Sequence, residues 1–243
     1  MLKTESGASI GSHPAVVRFL KGVFQLRTPT PKYHTTWDVS ILLAYLKEKS
    51  PPSSLNLKDL TVKLCALLLL ASAQRIQTLH LIKRSYIDMH EDHCVIHIVD
   101  KLKQSRPGFK QPQLKFFKFS DADLCVVLYL KEYISKTEPL CSSDNLFICV
   151  QKPHNPASKD TIARWMKTLL VSAGITEFAP HSFRGAASSA MFRCGVPLGT
   201  ILKTAGWSRA QTFQRFYNRP LTNPPEKDVS SPSLKFYSSP GNN

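Results

Sequence analysis

The sequence predicts an α+β fold, mainly helical with one small antiparallel three-stranded β-sheet. Apolar residues recur with helical spacing before residue 74 and again from Asp121 onward. Between these segments, short runs with the composition of β-strands alternate with polar turns. The 243 residues are 42% hydrophobic, which is enough for a sizeable core in one large domain or two small ones.

Residues 1–37 are predicted to form an N-terminal arm and linker. Residues 16–26 are amphipathic enough for a short helix or a strand, and the prolines of RTPTPKYHTTW favour an extended linker after them. We expect the main domain to span residues 38–220. Residues 221–243 are rich in Pro, Ser and Asn, which predicts a flexible tail.

Two helices are predicted next, each beginning at a polar residue that suits a helix N-terminus. Asp38 caps a helix that runs to Lys49, and the prolines of PPSS end it. Asn56 caps a helix over residues 57–73, whose apolar positions crowd into a buried stripe. Arg75 lies at the end of that helix, where a cation beside an apolar segment needs a partner such as a phosphate.

Three strands and five helices complete the predicted domain. Residues 86–89 and 94–99 form two strands joined by a tight polar turn, and residues 113–119 form the third. The loop KLKQSRPGFKQP, between the second and third strands, turns at Pro107 and Gly108. Helical spacing then predicts helices over residues 121–136, 158–173, 181–194, 197–205 and 208–217.

The charge of the chain favours a nucleic acid as its partner. The formal net charge is +15, and such basic chains most often bind nucleic acid or an anionic membrane. The most apolar run, residues 64–73, is far shorter than the roughly 20 residues that a membrane span needs. None of the six cysteines lies in a CxxC pair, and the N-terminus lacks the apolar core of a signal peptide. We therefore expect an intracellular protein with free thiols and no membrane partner.

One cluster of histidines and a cysteine invites comparison with a zinc site. His90, His93, Cys94 and His97 lie close together in the sequence. If the second strand begins near His93, that residue and His97 share one face while Cys94 points away. This geometry suits a four-ligand zinc site poorly, so we predict no bound metal.

Four side chains within residues 181–217 suit the chemistry of a phosphodiester. Arg184 follows His181 by one helical turn and falls on the same face of the predicted helix. Trp207 contributes an indole N–H after a glycine, and Tyr217 ends the last predicted helix. Cationic donors neutralise the charge that develops on the phosphate oxygens while a tyrosine attacks the phosphorus. This chemistry requires neither a metal nor a nucleotide cofactor.

Further cations are available to contact the DNA backbone. Beside Lys103, the loop after the second strand holds Lys101, Arg106 and Lys110, which are suitable phosphate contacts. Arg209 precedes the last predicted helix and is a fourth candidate.

The order of these residues resembles that of the tyrosine recombinases, the phage-integrase family. The resemblance covers roughly residues 40–220 and rests on an Arg, a hairpin Lys, His-x-x-Arg, Trp and Tyr in sequence: Arg75, Lys103, His181, Arg184, Trp207 and Tyr217. The segments around Arg75, KQSRPG and HSFRGAASS look most like recombinases of eukaryotic mobile elements of the DIRS and Ngaro type. The resemblance implies a tyrosine recombinase catalytic domain, with residues 1–37 as the remnant of a core-binding region.

The resemblance also implies a role for each residue at the phosphate. Arg75 and Arg184 would clamp the scissile phosphate. Trp207, where many members have His, would orient the phosphate and the tyrosine. Tyr217 would be the nucleophile and form a 3′-phosphotyrosyl link.

Proton transfer and partners follow from the same resemblance. His181 would assist proton transfer, and a hairpin lysine would protonate the leaving 5′-oxygen, with Lys103 preferred to Lys101. The resemblance implies no cofactor. It implies double-stranded DNA as the substrate, a homo-oligomer assembled on that DNA, and a nuclear location.

Several positions depart from the family pattern and leave alternatives open. Thr78 occupies the place of an acidic residue that usually supports the first arginine, and Gly185 replaces a common His. The spacing from Trp207 to Tyr217 is ten residues, one more than is usual in bacterial members. The alternatives are a catalytically inactive or co-opted DNA-binding domain derived from a mobile-element recombinase and, more weakly, a type IB topoisomerase.

Overall fold

The computed structural model describes residues 7, 9–27, 30, 32–102, 105 and 111–222. The chain forms two compact units, Met1–His34 and Thr35–Asn243. Within the ranges just given, no helix is long and apolar enough to cross a membrane.

The first unit contains helix α1 (Pro14–Leu26). Pro14 occupies the first helical turn, where its missing N–H is not needed, and the Nδ1 atom of His13 accepts a hydrogen bond from the Ala15 N–H. The sequence predicted either a short helix or a strand for residues 16–26, and this segment is helical. None of the residues of α1, all of which the structure describes, is buried.

The second unit is mainly helical and is organised around one buried helix. Its helices are α2 (Val39–Lys47), α3 (Leu57–Ser72), α4 (Ile76–His80), α5 (Val126–Thr137), α6 (Lys159–Ser172), α7 (Ser182–Arg193), α8 (Leu198–Ala205) and α9 (Ala210–Phe216). Helix α3 packs against α4, α5, α6 and α7. From Leu64 to Leu70 every residue of α3 is apolar and buried, as expected of a helix segment surrounded by others.

The predicted helix caps at Asp38 and Asn56 are present. Asp38 Oδ1 accepts from the Ser40 N–H, and Asn56 Oδ1 accepts from the Asp59 N–H. Helix α2 ends at Lys47, two residues before the predicted end. Lys63 of α3 is fully buried, and its Nζ donates to the carbonyl oxygens of Leu46 and Lys49. It therefore supplies hydrogen-bond donors to the backbone carbonyl groups around the end of α2.

The three predicted strands form a single antiparallel sheet in the order β1–β2–β3. They are β1 (Ile87–Met89), β2 (His93–His97) and β3 (Gln113–Phe117). The register pairs Cys94 with Phe116 and Ile96 with Leu114, and all four side chains are buried on the same face. The predicted fold class is therefore confirmed, with β2 and β3 each ending two residues earlier than predicted.

The segment between α3 and α4 differs from the prediction. Helix α3 ends at Ser72. The next residue, Ala73, adopts a left-handed conformation with φ 48°, and a second short helix begins at Ile76. Arg75 therefore lies at the N-terminus of α4 and not at the end of the long apolar helix. A non-glycine residue rarely adopts this conformation, so the sequence held no signal for the bend.

The two ends of the second unit lie side by side. The Thr36 N–H donates to the Pro220 carbonyl oxygen over 2.8 Å, and the Thr222 N–H donates to the Thr36 carbonyl oxygen over 2.9 Å. The Trp37 Nε1–H donates to Ser182 Oγ over 2.8 Å at the start of α7. These contacts join the beginning of the unit to α7 and to the segment that follows α9.

Candidate active site

Arg184 is the buried centre of the candidate site. It lies in the first turn of α7, and only 3% of its surface is exposed. Its Nη1 donates to the carbonyl oxygen of Ala73 over 2.9 Å, so the bend after α3 holds one end of the guanidinium. Its Nε and Nη2 atoms are buried and have no hydrogen-bond partner among the described residues. As far as the described residues go, these two donors are open to a ligand, beside the Tyr217 side chain that interacts with the same guanidinium.

The electrostatic environment of Arg184 favours an anion. Burial, together with the positive charge of Arg75, lowers the pKa of Arg184 to about 10. The residue is still protonated at neutral pH, and no Asp or Glu in the described part of the chain forms a salt bridge with it. A buried cation beside a second cation is costly until an anion joins the pair.

Trp207 closes one side of this site. Helix α8 ends at Gly206, which adopts a left-handed conformation with φ 71°, and the Trp207 N–H donates back to the Leu202 carbonyl oxygen over 2.8 Å. This helix end places the centroid of the indole ring 4.4 Å from the guanidinium carbon of Arg184. The indole Nε1 is buried and, within the described residues, has no partner.

Tyr217 directly follows α9 and packs against the same group. Its ring centroid lies 4.5 Å from that of Trp207 and 5.6 Å from the guanidinium carbon of Arg184. The ring also packs over Gly185, where a Cβ would stand 3.8 Å from Tyr217 Cδ1, an ordinary van der Waals distance. The ten-residue spacing from Trp207 therefore still brings the tyrosine to the site. The neighbouring Phe216 is instead 37% exposed.

Two of the three other predicted catalytic residues, Arg75 and His181, border the cluster. Arg75 is half-buried at the start of α4 and lies close enough to Arg184 to lower its pKa. His181 is exposed and immediately precedes α7, three residues before Arg184. The structure thus brings Arg184, Trp207 and Tyr217 into contact and places Arg75 within their electrostatic reach.

Thr78, at the position where the family usually has an acidic residue, belongs to a buried polar chain. Thr78 Oγ1 donates to Gln74 Oε1 over 3.3 Å, and Gln74 Nε2 donates to the Thr204 carbonyl oxygen in α8 over 2.7 Å. Gln74 is only 1% exposed. Sequence reasoning missed Gln74, and the available signal was a polar residue between Arg75 and a strongly apolar helix.

The predicted DNA-contacting cations are described only in part. Lys101, after β2, and Arg209, before α9, are both exposed. Lys103, Arg106 and Lys110 lie outside the described residues.

The histidines of the sheet are engaged with neighbouring carboxylates. His93 Nδ1 lies 2.6 Å from Asp92 Oδ1, and His97 Nε2 lies 2.8 Å from Asp88 Oδ2. Across the part of the chain that the structure describes, no group of three or more His, Cys, Asp or Glu residues is arranged to hold a metal ion.

Comparison with known families identifies the class of protein that this fold and site define. Residues 35–223 match the phage integrase family over more than half of the chain. The chain belongs to the phage integrase family, whose members are the tyrosine recombinases. No curated protein sequence matches it.

Solved structures share the fold at low sequence identity. XerA recombinase gives a TM-score of 0.57 at 19% identity, covering 94% of this chain and 74% of that one. XerH site-specific recombinase, in a pre-cleavage complex with difH substrate, gives a TM-score of 0.57 at 15% identity, covering 95% of this chain and 67% of that one. The Tn1549 transposon integrase, in complex with transposon right end DNA, gives a TM-score of 0.56 at 10% identity, covering 88% of this chain and 69% of that one. The mainly helical fold with a three-stranded sheet is that of tyrosine recombinase catalytic domains.

Proposed function

We propose that this chain is a DNA strand transferase that cleaves and rejoins DNA through a 3′-phosphotyrosyl link without metal or ATP. One observation carries the proposal. Buried donors of Arg184 and Trp207 that have no hydrogen-bond partner in the described part of the chain lie against the ring of Tyr217. Buried donors without acceptors are rare in folded proteins, and a ligand with several acceptor oxygens would satisfy them.

The scissile phosphate would bind between Arg75 and Arg184. The guanidinium of Arg184 is fixed by its bond to Ala73 and keeps Nε and Nη2 for a phosphate oxygen. The Trp207 Nε1–H offers a third donor. Because these donors are fixed before the reaction, they stabilise the added negative charge of the pentacoordinate transition state without reorganising.

The reaction itself is a transesterification. The phenolic oxygen of Tyr217 attacks the phosphorus, the bond from phosphorus to the 5′-oxygen breaks, and the phenolic proton is lost with the assistance of His181. Lys103 donates the proton that converts the leaving oxygen to a 5′-hydroxyl. A 5′-hydroxyl of another strand then attacks the phosphotyrosyl link and releases Tyr217. One ester replaces another at each step, so no external energy source is needed.

The proposal extends to partners and origin. We place the chain with mobile-element recombinases of the DIRS and Ngaro type, acting on double-stranded DNA in the nucleus as a homo-oligomer. Its net charge of +15 supports a polyanionic substrate. The lambda integrase, similar in fold with a TM-score of 0.52 at 14% identity, was solved as a dimer on a core site.

Covalent capture tests the proposed chemistry. The probe is a pool of nicked duplexes with randomised central sequences, in which cleavage near the nick releases a short fragment and traps the protein on DNA. We expect the wild-type protein to give a protease-sensitive adduct on a denaturing gel, and Tyr217→Phe to give none while it still binds DNA. Tyr86→Phe is the matched control, because Tyr86 is 46% exposed and lies outside the site.

The outcomes separate the alternatives. Equal capture by Tyr217→Phe would contradict the assignment of the nucleophile. Salt-dependent DNA binding without an adduct from the wild-type protein would support the inactive DNA-binding domain. Relaxation of supercoiled plasmid without strand exchange would support a type IB topoisomerase.

A further inference from the structure

Ser189 links the segment that carries Tyr217 to the helix that carries Arg184. It lies in α7, and its hydroxyl donates to the carbonyl oxygen of Tyr217 and accepts from the Arg219 N–H over 3.2 Å. We propose that Ser189 is a positioning residue for the nucleophile, holding Tyr217 in the site of its own chain. The catalytic part of this inference rests on the proposed function.

The contact is buried, and the Ser189 hydroxyl acts in it both as a hydrogen-bond donor and as an acceptor. Ser189 has no exposed surface. Helix α9 ends at Phe216, so the Tyr217 carbonyl lies at a helix end, where carbonyl groups lack partners within the helix. Donation to one group and acceptance from the other fix the rotation of the Ser189 hydroxyl. The backbone on both sides of Asn218 is thereby tied to α7.

The position of Ser189 on α7 gives the contact a consequence for the site. Arg184 lies on the same helix, so the hydroxyl fixes the backbone of Tyr217 relative to the guanidinium. The Tyr217 ring extends from this fixed backbone over Gly185 and against Trp207. A displacement of about 1 Å at a reacting group can lower a rate about 100-fold. Loss of the Ser189 hydroxyl should therefore impair attack more than DNA binding.

Other contacts hold the same segment in its own chain further from Tyr217. Arg193 Nη1 donates to the Arg219 carbonyl oxygen over 3.3 Å, and Thr36 accepts from and donates to the backbone of residues 220–222. The Arg193 contact is exposed, and the pairing at Thr36 lies three residues beyond Tyr217. Of the residues that the structure describes, Ser189 is the one whose side chain bonds to the backbone of Tyr217 itself.

The neighbouring serine provides a matched control. Ser188 is also fully buried, but its hydroxyl donates within α7, to the Arg184 carbonyl oxygen over 2.7 Å. Ser188→Ala and Ser189→Ala each remove one buried hydroxyl from the same helix, and only the second loses a bond to the nucleophile segment. Ser189→Thr retains a hydroxyl and tests for rescue.

The first measurement is single-turnover capture on the nicked-duplex pool with protein in excess. We expect Ser189→Ala to lower the capture rate by about 10- to 100-fold with DNA affinity within about twofold of wild type. Ser188→Ala should keep a rate within about threefold of wild type, and Ser189→Thr should recover most of the loss. Equal rates for the two alanine variants would overturn the catalytic consequence.

The second measurement needs no activity and separates this inference from the proposed function. Amide hydrogen exchange in the DNA-free protein reports the bond from the Arg219 N–H to Ser189. We expect faster exchange in residues 217–222 of Ser189→Ala and no change there in Ser188→Ala. Unchanged exchange in Ser189→Ala would overturn the inference whatever the capture rate. Faster exchange, combined with no adduct from the wild-type protein, would support the contact and refute the proposed chemistry.

Discussion

Arg184 illustrates a conflict between stability and the proposed function within one side chain. The pKa of Arg184 in the folded protein is about 10, below its ordinary value, because burial and Arg75 penalise the protonated form more than Tyr217 favours it. A group whose pKa is lowered by folding contributes to stability when the pH lies above its pKa in both the unfolded and the folded state. This contribution is lost as the pH falls through the folded-state value of about 10. At neutral pH the charge of Arg184 therefore destabilises the DNA-free protein.

Arg184→Met tests this conflict. Methionine fills much of the space without a charge. Removal of the buried charge should outweigh the lost hydrogen bond to the Ala73 carbonyl oxygen, so we expect the DNA-free variant to be about 1 kcal/mol more stable at pH 7. The variant should give no covalent capture. Urea unfolding measures the first effect. Tyr217→Phe is the control, since it should also lose capture yet keep the wild-type stability. A less stable Arg184→Met would refute the argument.

The sequence reveals some residues of the site and conceals others for a physical reason. Arg184, Trp207 and Tyr217 could be predicted because their chemistry is recognisable in each residue and their order is informative. Gln74 and Ser189 could not, because a serine or an amide acquires its role only from a partner. The partner of Gln74 is 130 residues away, and that of Ser189 is 28 residues away. No local pattern encodes such pairs.

At the scale of elements, the bend between α3 and α4 organises the site. The carbonyl of Ala73 holds Arg184 of α7, the side chain of Gln74 holds α8, and Arg75 begins α4. These three consecutive residues therefore contact α7 and α8 and begin α4. The periodicity of α3 predicted its burial and its approximate end, but not the short helix that follows.

Gln74→Leu tests the link from this bend to α8. Leucine is similar in size but leaves the Thr204 carbonyl and the Thr78 hydroxyl without their partner, which costs about 1–3 kcal/mol. Because Thr204 lies three residues before Trp207, we also expect the indole to shift and the rate of covalent capture to fall about tenfold. Unfolding and single-turnover capture measure the two effects.

Thr78→Val is the matched control for Gln74→Leu. It removes a hydroxyl from the same buried chain but leaves the bond from Gln74 to Thr204 intact. We expect it to lower stability with little loss of capture. Similar capture rates in the two variants would show that the bond to α8 does not position Trp207.

At the scale of the whole molecule, the second unit contains the entire described site. The family match covers residues 35–223, and the pairing of residue 36 with residues 220–222 closes the same segment on itself. The fold class followed from hydrophobic spacing, because burial of one face is a property of each element alone. The closure of the unit could not be predicted, since it depends on backbone groups that any residue would supply.

Lys63 predicts how the stability of the whole molecule depends on pH. It is fully buried, and its ammonium group donates to Leu46, Lys49 and Ser50 and lies 4.3 Å from the ring centroid of Tyr129. Burial lowers its pKa to about 8, a change opposed by Asp123 and Asp121 and reinforced by Lys49. The unfolded chain therefore binds more protons at this group than the folded protein between pH 8 and 10.5.

The free energy of unfolding should accordingly rise with pH across that window because of Lys63, by at most about 1.4 kcal/mol per pH unit. Burial raises the pKa values of Cys65 and Cys94, and these thiols act in the opposite direction. The measurement is therefore a difference, with urea unfolding of wild type and Lys63→Met compared from pH 7 to pH 9.5. Both proteins contain the thiols, so their effect cancels. We expect the wild-type slope to be the more positive above pH 8, and equal slopes would mean that Lys63 keeps an ordinary pKa in its buried site.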